Sequence, residues 1–200
     1  MYQRKDAFHA RAKAAGYRSR AAYKLLELSQ RHRLIRPNDR VVDLGAWPGG
    51  WLQVAAQLSG AHGVVLGVDV VPIEPLGSPT VVCLQGDVTD TAVQAEIRRR
   101  TGGRVDVILS DMAPKLTGIR ATDTARAERL ARAAVNLAQQ LLTPGGRLLL
   151  KLFSSPETDT LVAELRQCFT SVKLTRPAAS RKGSAELYAI ALGYRPPDTR

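Results

Sequence analysis

Apolar positions along the chain fall into two alternating rhythms from residue 40 onward. Short, nearly continuous apolar runs occupy 40–44 (RVVDL), 63–69 (GVVLGVD), 80–84 (TVVCL), 105–110 (VDVILS) and 147–153 (RLLLKLF). Between them, residues 49–58, 90–100, 122–142 and 157–168 space their apolar side chains as amphipathic helices do. Two last strands are expected near 170–175 and 186–193, joined by the basic loop 176–185. Thr143-Pro144-Gly145-Gly146 reads as the stop that ends the longest helix. Strands without polar alternation, separated by helices, imply a mostly parallel sheet covered on both faces. The last two strands stand too close for a crossover helix, so they are expected to pair antiparallel. The expectation is one doubly wound α/β domain over 37–200, preceded by a basic helical extension, 1–36, that belongs to the same domain.

Composition narrows the class only a little. At 44% hydrophobic and 24% charged residues, the chain has an ordinary globular balance. Its apolar runs fall short of a membrane span, and residues 1–20 hold no apolar core of a secretory signal. Cys83 and Cys168 lie in apolar segments, which fits a reducing cytoplasm better than a disulfide framework. His9, His32 and His62 show no metal or catalytic spacing, so no metal is expected.

Charge changes the picture more. The net charge is +11, and residues 1–36 contribute ten Lys/Arg against Asp6 and Glu27, a net of +8. Tyr2, Phe8, Tyr17 and Tyr23 are interleaved with those cations. Such a mixture can neutralise phosphates and stack bases, so nucleic acid is the expected partner. Arg18 and Arg20 are taken as phosphate anchors lying outside the αβ core. Lys24, four residues after Arg20, is expected on the same helix face.

In doubly wound sheets, ligands bind beyond the carboxyl ends of the strands. Those ends carry Asp43–Gly50, Asp69, Asp87 and Asp111, with Lys151 inside the run 147–153. The corner Gly45-Ala46-Trp47-Pro48-Gly49-Gly50 is not the dinucleotide pattern G-x-G-x-x-G. Asp69 stands where a carboxylate binds both hydroxyls of an adenosine ribose, and Asp87 can reach an adenine amino group. A ligand with adenosine, no pyrophosphate, and a polar end near Asp43 and Gly45 fits S-adenosylmethionine. "LSDMAP", 109–114, lacks the aromatic of amino-group methyltransferases, and neither Cys is placed for cytosine C5 attack. Lys151 among leucines is a charge that a buried strand does not carry without a reason. Asp111 and Glu186 would pull its pKa up, while Lys24 and poor solvation would pull it down.

The chain resembles the FtsJ-like (RrmJ-like) family of ribosomal RNA ribose 2′-O-methyltransferases. The resemblance runs from about Tyr17 to the C-terminus through "RSRAAYKLLEL", "VVDLGAWPGGW", "SDMAPKLTG", "LLLKLF" and "SRKGSAELYAIA". It implies a Rossmann-like class I S-adenosylmethionine-dependent methyltransferase with a seven-stranded, mostly parallel sheet and an antiparallel last strand. The family's Lys-Asp-Lys-Glu tetrad falls on Lys24, Asp111, Lys151 and Glu186. Cofactor contacts are implied at Gly49, Trp51, Asp69, Asp87 and Asp111. Trp47 departs from the family, which usually has a small residue there. The implied substrate is a uridine in the A loop of large-subunit ribosomal RNA, methylated by a monomer. Related branches act on transfer RNA or messenger RNA caps, and a non-catalytic ribosome-assembly protein is the rival class. Arg181 and Lys182 complete the expected RNA contacts.

Overall fold

The computed structural model describes residues 7–180 and 185–197. Two helices come first, α1 (Ala7–Ala14) and α2 (Ala21–His32). The alternation then runs β1 (Arg40–Leu44), α3 (Gly50–Ser59), β2 (Val64–Asp69), β3 (Val81–Gln85), α4 (Thr91–Thr101), β4 (Val105–Ser110) and α5 (Arg120–Leu141). It closes with β5 (Leu142–Phe153), α6 (Pro156–Cys168), β6 (Phe169–Thr175) and β7 (Glu186–Tyr194). The seven strands form one sheet in the order β3-β2-β1-β4-β5-β7-β6. β1 to β5 pair in parallel, and β7 runs antiparallel between β5 and β6. Among the described residues, no helix is long and apolar enough to cross a membrane.

Successive strand residues face opposite sides, so each strand feeds two cores. Val42, Leu44, Ile108, Leu148 and Leu150 pack with α4, α5 and α6 on one face. Val41, Val107, Leu109, Leu149, Tyr188 and Ile190 pack on the other, against α2 and α3. Helix α2 is therefore a layer of the core, with Leu25 and Leu28 fully buried. This corrects the expectation that the basic extension lies outside the αβ core. Of the charges on α2, Lys24 is buried with the apolar stripe, while Glu27 and Arg31 sit on the more open faces.

Helix α5 ends at Leu141, just before the expected stop at Thr143–Gly146, and that segment is already part of β5. Strand pairing begins at Leu142 opposite Val105 and resumes at Arg147 opposite Val107, so the Pro-Gly-Gly segment is a bulge inside β5. Gly145, at φ +80°, lets the backbone turn there without a Cβ clash.

Candidate active site

Strand register explains how the charged residues converge. Lys151 and Tyr188 are direct partners across β5 and β7, and Glu186 pairs with Phe153 two positions along. Side chains two apart on a strand share a face, so Glu186, Tyr188 and Lys151 point to the side covered by α2. Helix α2 supplies Lys24, and Asp111 stands one residue beyond the end of β4. Lys151 Nζ lies 3.0 Å from Asp111 Oδ1 and 3.2 Å from Glu186 Oε1. Lys24 Nζ lies 2.9 Å from Glu186 Oε2. The four residues expected as a tetrad are thus joined in one network.

A fifth member was missed by the sequence reading. The Tyr188 hydroxyl donates to Asp111 Oδ1 at 2.6 Å and accepts from Lys24 Nζ at 3.1 Å. It closes the circuit from Lys24 through Glu186, Lys151 and Asp111 back to Lys24. The available signal was its place at Glu186 plus two in "AELYAIA", on the same strand face.

Two ammonium groups and two carboxylates make the circuit neutral in sum, which makes their burial tolerable. Burial acts to lower the Lys151 pKa, but the Asp111 and Glu186 carboxylates outweigh it and leave the amine above its ordinary value. Burial acts to raise Glu186, and Lys151 and Lys24 outweigh it and pull the carboxyl below its usual range. Tyr188 is driven upward by burial and by the neighbouring Asp111 charge, so it remains a phenol that donates. At rest Lys151 is therefore an ammonium, Glu186 a carboxylate and Tyr188 a phenol.

Beside this network, the ends of β3, β2, β1 and β4 enclose a cavity of about 360 Å³. Gly45, Trp47, Asp69, Asp87, Asp111 and Met112 are among its walls. Asp111 therefore belongs both to the cavity and to the charged circuit. A Cβ on Gly45 would come within 2.8 Å of Met112 Cγ, so the corner is packed too tightly for a side chain. Asp69 Oδ2 accepts from Trp47 N and Oδ1 from Val71 N, both at 2.9 Å. A carboxylate has about four acceptor sites, so each oxygen keeps room for a ligand hydroxyl. Asp87 Oδ1 accepts from Thr89 N and Thr89 Oγ1, both at 2.8 Å, and these bonds hold its pKa below the usual value.

Asp43 lies beneath the corner, completely buried, and among the described residues neither of its carboxylate oxygens has a hydrogen-bond partner. Burial first, then the Asp111 and Asp69 charges, push its pKa well above the ordinary carboxylate range. An unpartnered buried carboxyl is costly, and a cationic or hydrogen-bonding ligand end nearby would relieve that cost.

Several known proteins are similar to this chain. Residues 17–194 match the sequence profile of FtsJ-like methyltransferases. The chain belongs to the FtsJ-like methyltransferase family. One relative is a ribosomal RNA large subunit methyltransferase E from Methanoculleus marisnigri, 49% identical over 96% of this chain and 92% of its own. Another protein of that name, from Acidithiobacillus ferrooxidans, is 46% identical over 96% of this chain and 86% of its own. A solved ribosomal RNA methyltransferase structure from Plasmodium falciparum superposes with a TM-score of 0.79 at 27% identity, covering 89% of this chain and 98% of that one. Aeropyrum pernix fibrillarin, solved with natively bound S-adenosyl-L-methionine, shares the fold at a TM-score of 0.59, with 17% identity over 88% of this chain and 75% of that one.

Within this FtsJ-like chain, some of the expected site residues lie behind the cavity wall or are engaged by other parts of the protein. The Trp51 indole is buried between α2 and the sheet, where Nε1 donates to the Ala21 carbonyl at 2.8 Å. Its aromatic bulk closes the core, and it forms no wall of the cavity. Gly49 does not line the cavity either; a Cβ there would meet Arg18 at 3.1 Å. Arg18, expected as a phosphate anchor, turns its side chain back onto the protein. Its guanidinium donates to the carbonyls of Pro48 at 3.2 Å, Glu74 at 2.5 Å and Pro75 at 2.7 Å. Arg20 donates to the Ala179 carbonyl and lies over the Phe8 ring. Glu27 accepts from Ala178 N, and Lys24 from the same side of α2 reaches Glu186, so the shared face of Arg20 and Lys24 is directed at the β6–β7 connection. Arg181 and Lys182 lie outside the described residues.

Proposed function

We propose that this chain methylates the ribose 2′-hydroxyl of a uridine in the A loop of large-subunit ribosomal RNA, using S-adenosylmethionine. The observation that carries the reading is Asp111, which joins a cavity with adenosine-type acceptors to a buried Lys-Asp-Lys-Glu circuit. The names of the relatives favour ribosomal RNA as the substrate. Asp69 would hold the ribose hydroxyls of the cofactor and Asp87 its adenine amino group. Gly45 would face its polar end, with the buried Asp43 carboxyl beneath the corner and behind the cavity wall, and the acceptors on that wall fit such a ligand. When bound, S-adenosylmethionine supplies an electrophilic methyl carbon on a sulfonium.

The chain's own residues must align a poor nucleophile and remove its proton. Lys151 is the group assigned to that proton. Asp111 and Glu186 fix the direction of its Nζ from two sides, and Tyr188 in turn fixes Asp111. Lys24, held by Glu186 and Tyr188, would steady the target ribose or its phosphate. Because the carboxylates keep Lys151 protonated at rest, acceptance of the hydroxyl proton requires the neutral fraction of the amine, which grows with pH.

The direct test incubates the purified protein with methyl-labelled S-adenosylmethionine and either free ribosomal RNA or assembled large subunits, then maps 2′-O-methyl groups. A label at one A-loop uridine is expected. A label on transfer RNA alone, or on a base, would overturn the reading. Asp69→Ala should weaken cofactor binding in calorimetry by about 1–3 kcal/mol, through lost charged hydrogen bonds and a released corner.

A further inference from the structure

The cavity beside the charged circuit has an apolar rim for which the proton chemistry has no use. Trp47 is 56% exposed and Val70 61% exposed, and both are walls of that cavity. A tryptophan left this open keeps a large apolar surface in solvent at the wall of the cavity. The rim is also held in place from behind. Asp69 binds the backbone N–H of Trp47 with one oxygen and that of Val71 with the other. Arg18 ties the Pro48 carbonyl, next to Trp47, to the Glu74 and Pro75 carbonyls of the segment that follows β2. The aromatic side chain thus rises from a fixed backbone beside the carboxylate assigned to ribose hydroxyls.

We propose that the Trp47 indole is the stacking wall for the adenine ring of the cofactor. The inference rests on the function proposed above. Strand order selects adenine over an RNA base as the occupant. The circuit of Lys24, Lys151 and Glu186 lies toward β5 and β7, where the target ribose must enter. Asp69 and Asp87 lie at the other end, after β2 and β3. Trp47 is bonded to Asp69 and so belongs to that second end. Stacking tolerates any base, so the amino group of adenine would be selected by Asp87, with Trp47 providing most of the contact area.

The chain has two tryptophans, and Trp51 is only 3% exposed, so the part of any change in indole emission that disappears when Trp47 is replaced reports Trp47. Wild type titrated with S-adenosylhomocysteine should show saturable quenching. Trp47→Phe should lose most of that quenching yet hold affinity within about 3-fold, since a phenyl ring still stacks. Trp47→Ala should raise the Kd about 10-fold, the scale of one stacked base. Wild-type affinity in Trp47→Ala, or quenching by ribosomal RNA but not by S-adenosylhomocysteine, would overturn the proposal. If calorimetry finds no S-adenosylhomocysteine binding in wild type, the functional reading falls with it. If wild type binds, Asp69→Ala does not, and Trp47→Ala binds as wild type, only the role of Trp47 falls.

Discussion

At Lys151 two effects oppose each other, and the carboxylates win. Sequence alone named both influences but could not rank them, because the ranking depends on distances of 3.0 and 3.2 Å that only packing sets. An amine held above its ordinary pKa is protonated at neutral pH, so turnover through its neutral form should climb with pH through 7–9 without a plateau. A flat profile in single-turnover assays would point instead to a purely electrostatic Lys151. Lys151→Ala should leave cofactor affinity intact and lower turnover by at least ~10². Lys151→Arg should fail as well, because guanidinium stays protonated and does not fit one acceptor direction on each side. Asp43 makes the opposite kind of prediction. Its folded carboxyl holds a proton to higher pH than the unfolded one, so between those two values the folded state binds more protons. Stability is therefore lost as pH rises from about 4, by up to about 1.4 kcal/mol per pH unit, and is flat below that. Asp43→Asn has no proton to lose. Melting curves of both proteins from pH 4 to 8 should converge in acid and diverge toward neutrality, with the asparagine protein the relatively more stable.

At the level of elements, strands and helices were legible wherever one periodicity ruled. Val41-Val42 and Leu148-Leu149-Leu150 are apolar on both faces because helices cover both faces. The helix stop at Thr143–Gly146 was legible, but Pro and Gly punctuate a chain without revealing that strand pairing already begins at Leu142 and continues past them. The contacts of the segment from Gly16 to Arg20 were not legible for a related reason. Its arginines look solvated in a list of charges, but backbone carbonyls of folded loops are acceptors that no sequence pattern displays. Gln53 accepts from Arg18 N at 2.8 Å and donates to the Gly16 carbonyl at 2.9 Å, so α3 grips the connection between α1 and α2 on the side opposite the Arg18 clamp. Arg18→Ala should then weaken S-adenosylhomocysteine binding by about 1–2 kcal/mol through a loosened corner, while the salt dependence of RNA binding stays unchanged. Calorimetry and a salt titration on the same variant check both halves. An unchanged cofactor affinity with a flattened salt slope would return Arg18 to the RNA surface.

For the whole molecule, the alternation of runs was enough to place every strand end that matters, because a doubly wound sheet gathers those ends on one rim. What the alternation could not supply was the pairing of β7 between β5 and β6. That insertion brings Glu186 and Tyr188 against Lys151 and turns separate charges into one closed circuit. It also redraws the basic surface. With Arg18 and Arg20 engaged by carbonyls and Lys24 only 8% exposed, the first 36 residues cannot offer all their charge to phosphate. The β6–β7 connection is tied to α2 by Arg20 and Glu27 and ends at Glu186 of the circuit, so cations in that connection stand next in chain to the reacting group. Arg181 and Lys182 occupy it by sequence. Each phosphate neutralised releases counterions, so RNA affinity should fall steeply with salt, and replacing both residues with Ala should reduce the slope by up to about two. Such a change should weaken binding to matched and unmatched RNA alike, because phosphate contacts carry no sequence information. The measurement is the Kd for an A-loop RNA and for a scrambled one across a salt series, in wild type and double variant, with S-adenosylhomocysteine affinity as the control for folding. Equal slopes in the two proteins would move the RNA surface away from this connection and back to the remaining cations of α1 and α2.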